Sequence, residues 1–237
     1  MVEVIDRWAV QGLLDSQEAQ LVDVSPRAAY AWAHLPQAAH LPLEEIRDTA
    51  AERLNPSRPV IVYGQDWLCD RSARAARLLE RLGFHDVFDY AAGRMDWLSA
   101  DLPYAGDAVL VSRIVRHDPV ITSAGDAVSG VEPRVVADPA GVAVVVGGQD
   151  VVLGLIGERE LKGASPDARA EEIMRIDIPT VRPSEEVAAL SARMDREGLD
   201  EVVVTMTDGR LVGIVPAAAV RAPGDPPGDG PDEDPYL

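Results

Sequence analysis

Residues 59–82 read PVIVYGQDWLCDRSARAARLLERL. The β-branched run from Pro59 to Tyr63 predicts a buried strand, and the polar stretch Gly64 to Ser72, GQDWLCDRS, predicts a loop. From Arg71 to Leu82 the spacing places Ala75, Leu78, Leu79 and Leu82 on one helical face. Strand, loop and helix in this order form the repeating unit of a parallel sheet flanked by helices. Ligands of such sheets gather beyond the carboxyl ends of the strands, where backbone N–H groups and a helix N-terminus favour an anion. Gly64, Arg71, Ser72 and Arg74 are therefore candidates for an anion-binding loop. Cys69, just before the helix and near Arg71 and Arg74, is the candidate nucleophile, since both the helix dipole and the guanidinium groups favour thiolate. Asp66 and Asp70 oppose that effect, and an ordinary loop thiol is the plain alternative.

Outward from this unit the pattern continues. LVDV at 21–24 reads as a strand. Ser25 and Pro26 read as an N-cap and first helical position, opening a short helix through Tyr30 and Trp32 to about His34. A second helix is expected over 43–54, a strand over 87–90, and Trp97 on a short closing helix. DLPYAGD at 101–107 supplies turn formers between two patterned regions, giving a domain over 1–104 and another over 108–222. Residues 223–237, rich in Pro, Gly and acids, read as a disordered acidic tail.

The second region repeats. Thr122 to Gly154 and Thr180 to Gly213 delimit matching segments, each ending in an apolar strand pair: VAVVVGGQDVVLGLI at 142–156 and EVVVTMTDGRLVGIV at 201–215. Two copies of one unit, each with an unpartnered sheet face, should pack on each other. The second copy carries an amphipathic helix over 185–197, with Val187, Leu190 and Met194 on one side; Pro133 and several glycines weaken the helix of the first.

The chain of 237 residues carries a formal charge of −18, which repels phosphate backbones and anionic lipid, so nucleic acid and membrane are not expected partners. The single cysteine excludes an internal disulfide, and no apolar stretch is long enough to span a bilayer. The opening residues lack the features of a secretory signal, and a cytoplasmic location is the expectation. No metal site is implied.

The string VDVSPRAAYAWAHLPQAAHLP at 22–42 resembles the rhodanese family at Asp23, Tyr30, His34, Pro36, Ala38 and Pro42, and the resemblance continues through IVYGQDWLCDRSARAARLLERLGFHDV and AGRMDWLSADLP. It implies a rhodanese-like fold over about the first hundred residues. The family places its sulfur-carrying cysteine directly after the strand, where this chain has Gly64 after Tyr63. Some members carry a second cysteine further along a longer loop, and Cys69 matches that position. Ser25 stands where the family usually has Arg, Ala29 where it has an acid, and Arg94 reads as a surface arginine. If Cys69 acts, the resemblance implies a two-step sulfur transfer through Cys-SSH without a metal. Phosphatase chemistry ranks lower, because four residues separate Cys69 from Arg74 where that class has five.

The second region resembles a CBS pair at PVITSAG (119–125), VVLGLIGERELK (151–162), IPTVRP (178–183) and DGRLVGIV (208–215). That resemblance implies an α+β tandem repeat, an adenine nucleotide as ligand, and a homodimer. Glu160 takes the place of the Asp that holds ribose hydroxyls in ligand-binding members, Ala219 leaves the second repeat without one, and Thr180 and Arg182 are expected to line a cleft. A solvated Glu160 and a strand-capping Thr180 are the bland alternatives. Three readings stand open: a regulatory or binding protein that recognises an anion, a persulfide or a protein and senses nucleotide; a sulfurtransferase acting through Cys69; and an interaction scaffold with no small ligand.

Overall fold

The computed structural model describes residues 2–16 and 19–221; the acidic tail expected over 223–237 lies outside them. The chain divides into two compact units, Met1–Ala108 and Val109–Leu237.

In the first unit the elements are β1 (Glu3–Val4), α1 (Arg7–Asp15), β2 (Gln20–Asp23), α2 (Arg27–Trp32), β3 (Ala39–His40), α3 (Ile46–Arg53), β4 (Val60–Tyr63), α4 (Arg71–Arg81), β5 (Val87–Tyr90) and α5 (Gly93–Ser99). The strands form one parallel sheet in the order β1-β5-β4-β2-β3. All four residues of β4 are buried, as a central strand covered on both faces requires. Alternation along it serves two cores. Val60 and Val62 pack with Ile46, Ala50, Ala75 and Leu79 of α3 and α4, while Ile61 and Tyr63 pack with Val10 of α1 and Trp97 of α5. A buried Leu79 contributes about 2 kcal/mol to that first core.

Three local expectations change. Ser25 does not cap α2: its hydroxyl is buried without a partner, and Pro26 is the capping residue. The α4 face is completed by Ser72, Ala75, Ala76 and Leu79, whereas Leu82 lies past the helix end and is 41% exposed. The helix expected from residue 43 begins at Ile46, after a turn. The positions that carry the resemblance in 22–42 are scaffold. The Tyr30 ring stacks on His34 and His40 at 3.7 and 4.4 Å, and its hydroxyl donates to the Ala38 carbonyl at 2.9 Å.

The second unit contains β6 (Val120–Ser123), α6 (Val128–Ala137), β7 (Val142–Val146), β8 (Val152–Gly157), α7 (Glu158–Leu161) and α8 (Ala170–Ile173), then β9 (Thr180–Val181), α9 (Val187–Glu197), β10 (Glu201–Thr205), β11 (Leu211–Pro216) and α10 (Ala217–Arg221). The sheets β6-β7-β8 and β11-β10-β9 each combine a parallel and an antiparallel pairing. Helix α6 forms despite Pro133, because burial of Val128, Val131 and Val135 outweighs the lost hydrogen bond. In β7, Ala143 and Val145 face α6, while Val142, Val144 and Val146 meet Val203 and Ile214 of the second repeat.

Each repeat is completed by the segment that precedes the other. Arg116 bridges in backbone register to Ile214, and Arg175 to Leu155. Glycine is required at both crossings: a Cβ on Gly213 would lie 2.2 Å from the Arg116 carbonyl oxygen, and one on Gly154 2.6 Å from that of Arg175. The side chains then reach across. Arg116 donates to both carboxylate oxygens of Asp138 at 2.9 Å, and Arg175 pairs with Glu201.

Candidate functional site

The loop from Gly64 to Asp70 leaves the carboxyl end of β4 and enters α4. Its first residues are held by the start of α5, where the Arg94 and Met95 N–H groups donate to the carbonyls of Gly64 and Gln65 at 3.0 and 2.9 Å. This close approach fixes Gly93, which has φ +63° and whose Cβ would sit 2.7 Å from the Gly64 oxygen. The loop then doubles back. Asp66 accepts from Leu68 N–H through its carboxylate at 2.9 Å and from Cys69 N–H through its carbonyl at 3.1 Å. As a result the Cys69 sulfur lies 3.6 Å from the point where a Cβ on Gly64 would be, and the Ser72 backbone nitrogen lies 4.0 Å from the same point. Cys69 thus brings its sulfur to the mouth of β4, beside the N-terminus of α4, and remains partly exposed.

The other predicted loop residues are placed differently. Arg71 donates to both oxygens of Glu44 at 2.9 and 3.1 Å; a backbone hydrogen bond first, and then this pairing, hold the Glu44 carboxyl below its usual range. Ser72 is buried and its hydroxyl bonds Asp89, so only its backbone faces the loop. Arg74 is 60% exposed, 3.8 Å from Asp70, and lines a groove between α3 and α4 that does not include Cys69.

Beneath the loop lies a buried polar group that the sequence reading missed. Arg94, expected at the surface, is 2% exposed and donates to the carbonyls of Ala29 and Ala33 at 2.8 Å each, with Asp23 at 3.5 Å. Asp23 accepts from Ser25 N–H at 2.8 Å, and the Tyr63 hydroxyl accepts from Leu35 N–H at 3.0 Å. Burial, then the Asp23 charge, pushes the Tyr63 hydroxyl far up, so it stays protonated. The Arg94 side chain therefore ties the end of α2 to the start of α5, whose backbone N–H groups hold the loop. No local pattern marks it, because its partners are carbonyls about sixty residues away. Also missed were Trp67 and Leu68, 70% and 96% exposed beside the thiol.

In the repeat unit Glu160 turns back onto its own helix and accepts from Gly157 N–H at 2.9 Å. Thr180 is exposed, with its carbonyl accepting from Arg193 at 3.2 Å, and Arg182 donates to the Thr205 hydroxyl. No hydrogen bond joins Glu160 to Thr180 or Arg182 among the described residues. Nor, among them, is there a group of three or more His, Cys, Asp or Glu side chains placed to hold a metal, or a helix long and apolar enough to cross a membrane.

Residues 8–100 match the rhodanese-like domain family, and residues 170–221 match the CBS domain family. The HTH-type transcriptional regulator Rv0324 of Mycobacterium tuberculosis is 32% identical over 89 residues, 38% of this chain and 38% of that protein. YrkF of Bacillus subtilis, named "putative sulfur carrier protein", is 33% identical over 85 residues, 35% of this chain and 44% of that protein. The chain thus spans less than half the length of these curated relatives. Among solved structures, the CBS domains of a Streptococcus pneumoniae transcriptional regulator align with 23% identity and a TM-score of 0.45, over 48% of this chain and 98% of that one. The rhodanese-like domain of the Anabaena protein Alr3790 aligns with 27% identity and a TM-score of 0.41, over 45% of this chain and 81% of that one.

Proposed function

We propose, from the premise that this chain joins a rhodanese-like domain at 8–100 to a CBS domain at 170–221, that it is a regulatory sulfur-carrying protein in which Cys69 holds the sulfur. The observation that carries this reading is the 3.6 Å approach of the Cys69 sulfur to the Cβ position of Gly64. It supports a cysteine that has moved along the loop while its sulfur stays near the strand end. The Cys69 thiolate attacks the outer sulfur of a donor persulfide; the donor S–S bond breaks, the donor thiolate leaves, and Cys69-SSH forms. An acceptor thiolate then attacks the outer sulfur and releases Cys69 as thiolate. The backbone N–H of Ser72, whose nitrogen lies 4.0 Å from the Gly64 Cβ position, can donate to negative charge developing there, while Arg71 is occupied by Glu44.

The test is the intact mass of the protein after exposure to a low-molecular-weight persulfide, with Cys69→Ser alongside. One added sulfur atom on the wild type alone supports the reading. No addition to a folded wild type overturns it, and leaves this half as a binding module.

To the repeat region we assign an adenine nucleotide and a homodimer, both on its CBS character. Glu160 accepts from Gly157 N–H through Oε2, which leaves its other carboxylate oxygen for a ribose hydroxyl. Calorimetric titration with AMP, ADP and ATP against wild type and Glu160→Gln checks this. Saturable heat that the substitution weakens supports a ribose contact, and no heat with any nucleotide removes it. Light scattering after gel filtration checks the dimer.

A further inference from the structure

The groove between α3 and α4 lies apart from the cysteine and has no part in the sulfur chemistry above. It encloses about 410 Å³, with Leu43 and Leu78 in its walls and four arginines around it: Arg47 from α3, and Arg74, Arg77 and Arg81 from α4. The three on α4 follow at i, i+3 and i+7, so they form one stripe along the helix, about 10 Å from first to last. Two acids share the groove. Glu44 is bound on both oxygens by Arg71, and Arg74 lies 3.8 Å from Asp70, which leaves Asp48 as the groove's one acid against Arg47, Arg77 and Arg81. Among the described residues Arg47, Arg77 and Arg81 form no close ion pair, although the Arg77 charge also acts on the buried Asp89 carboxyl.

This arrangement works against the helix that carries it. Successive arginines three and four residues apart repel one another, and Arg71 and Arg74 stand in the first turn of α4, where the helix dipole disfavours a cation and no acidic residue is present. Nor does general basicity account for it, since the whole chain carries −18. A repulsive stripe kept on one groove of an acidic protein, with fewer acids than arginines along it, is the pattern of a site whose remaining counter-charge comes from a ligand.

We infer that the α3–α4 groove binds a small linear polyanion, of the chemistry shared by inorganic polyphosphate and the phosphate chain of a nucleotide. Charges spaced along about 10 Å of extended ligand match the stripe, and the planar guanidinium groups suit paired phosphate oxygens.

The experiment titrates the full chain with inorganic tripolyphosphate at low ionic strength, by calorimetry and thermal melting, beside Arg77→Gln/Arg81→Gln and a control, Arg53→Gln, outside the groove. Expected are saturable binding to the wild type, at least tenfold weaker binding to the double variant, and no change in the control. Without ligand the double variant should melt at or above the wild type, because like-charge repulsion is relieved. Absence of binding, equal binding by the double variant, or an equal loss in the control would each overturn the proposal. Competition by ATP that is lost in the double variant assigns the nucleotide form, and tripolyphosphate binding that ATP leaves undisturbed assigns the inorganic one. Cys69→Ser should bind tripolyphosphate like the wild type, so failure of the sulfur reading and failure of this one are separately visible.

Discussion

A single glycine and a single cysteine define the candidate site, and their distance can be tested chemically. If the Cys69 sulfur lies where the fold places it, Gly64→Cys puts a second thiol within reach of a disulfide. Mild oxidation should then remove two hydrogens from the monomer mass, and recovery of only free thiols or cross-linked dimers would show that the loop does not double back in this way. Gly213→Ala tests the opposite case, a glycine with no room. It should cost about 1–3 kcal/mol in urea denaturation, because the added carbon meets the Arg116 carbonyl. The sequence made Cys69 visible as a candidate by type and position. It did not make its sulfur's return to Gly64 visible, because that depends on the Asp66 hydrogen bonds and on the grip of α5 some thirty residues later.

Elements were legible where one period dominates. The central strand, the α4 helix and the paired strands of the repeats all follow from local patterns of apolar residues, and the parallel sheet follows from their alternation. Illegible were the elements' polar underpinnings, Arg94 beneath the loop and Asp89 beneath α4. Arg94→Gln strands the buried Asp23 carboxylate and should destabilise the first unit by about 3–5 kcal/mol in urea denaturation. Asp89 gives a pH signature. Burial pushes its carboxyl up, against the Ser72 hydrogen bond, so the folded protein holds that proton more tightly than the unfolded chain does. Stability from this residue is therefore highest at low pH and falls as pH rises through the folded value. Asp89→Asn, which keeps a partner for Ser72, should gain on the wild type in denaturation curves as the pH climbs from below to above the ordinary carboxylate range. A constant difference across that range would rule the effect out.

For the molecule as a whole, the two-part organisation was legible from motif order and from the repeat near 58 residues, Thr122 to Thr180. The reciprocal arms of the repeat unit were not, because RIVRHD and EIMRID look alike in sequence and nothing local says that each serves the other copy. Arg116→Ala and Arg175→Ala should each lower the stability of this unit, by about 1 kcal/mol and by similar amounts, since each removes one of two equivalent cross-repeat pairs. Thermal denaturation of the two variants and their combination checks this.

The same reciprocity constrains how the protein is made. A ribosome delivers Val115 and Arg116 early, yet their docking strand around Ile214 emerges nearly a hundred residues later, and the first repeat waits for Arg175 before its outer strand is covered. Until then the valines of β7 have no partner sheet, and a nascent chain stalled before residue 214 presents them to chaperones. Assembly of this half is thus expected as a single event once both repeats have been made, rather than one repeat at a time.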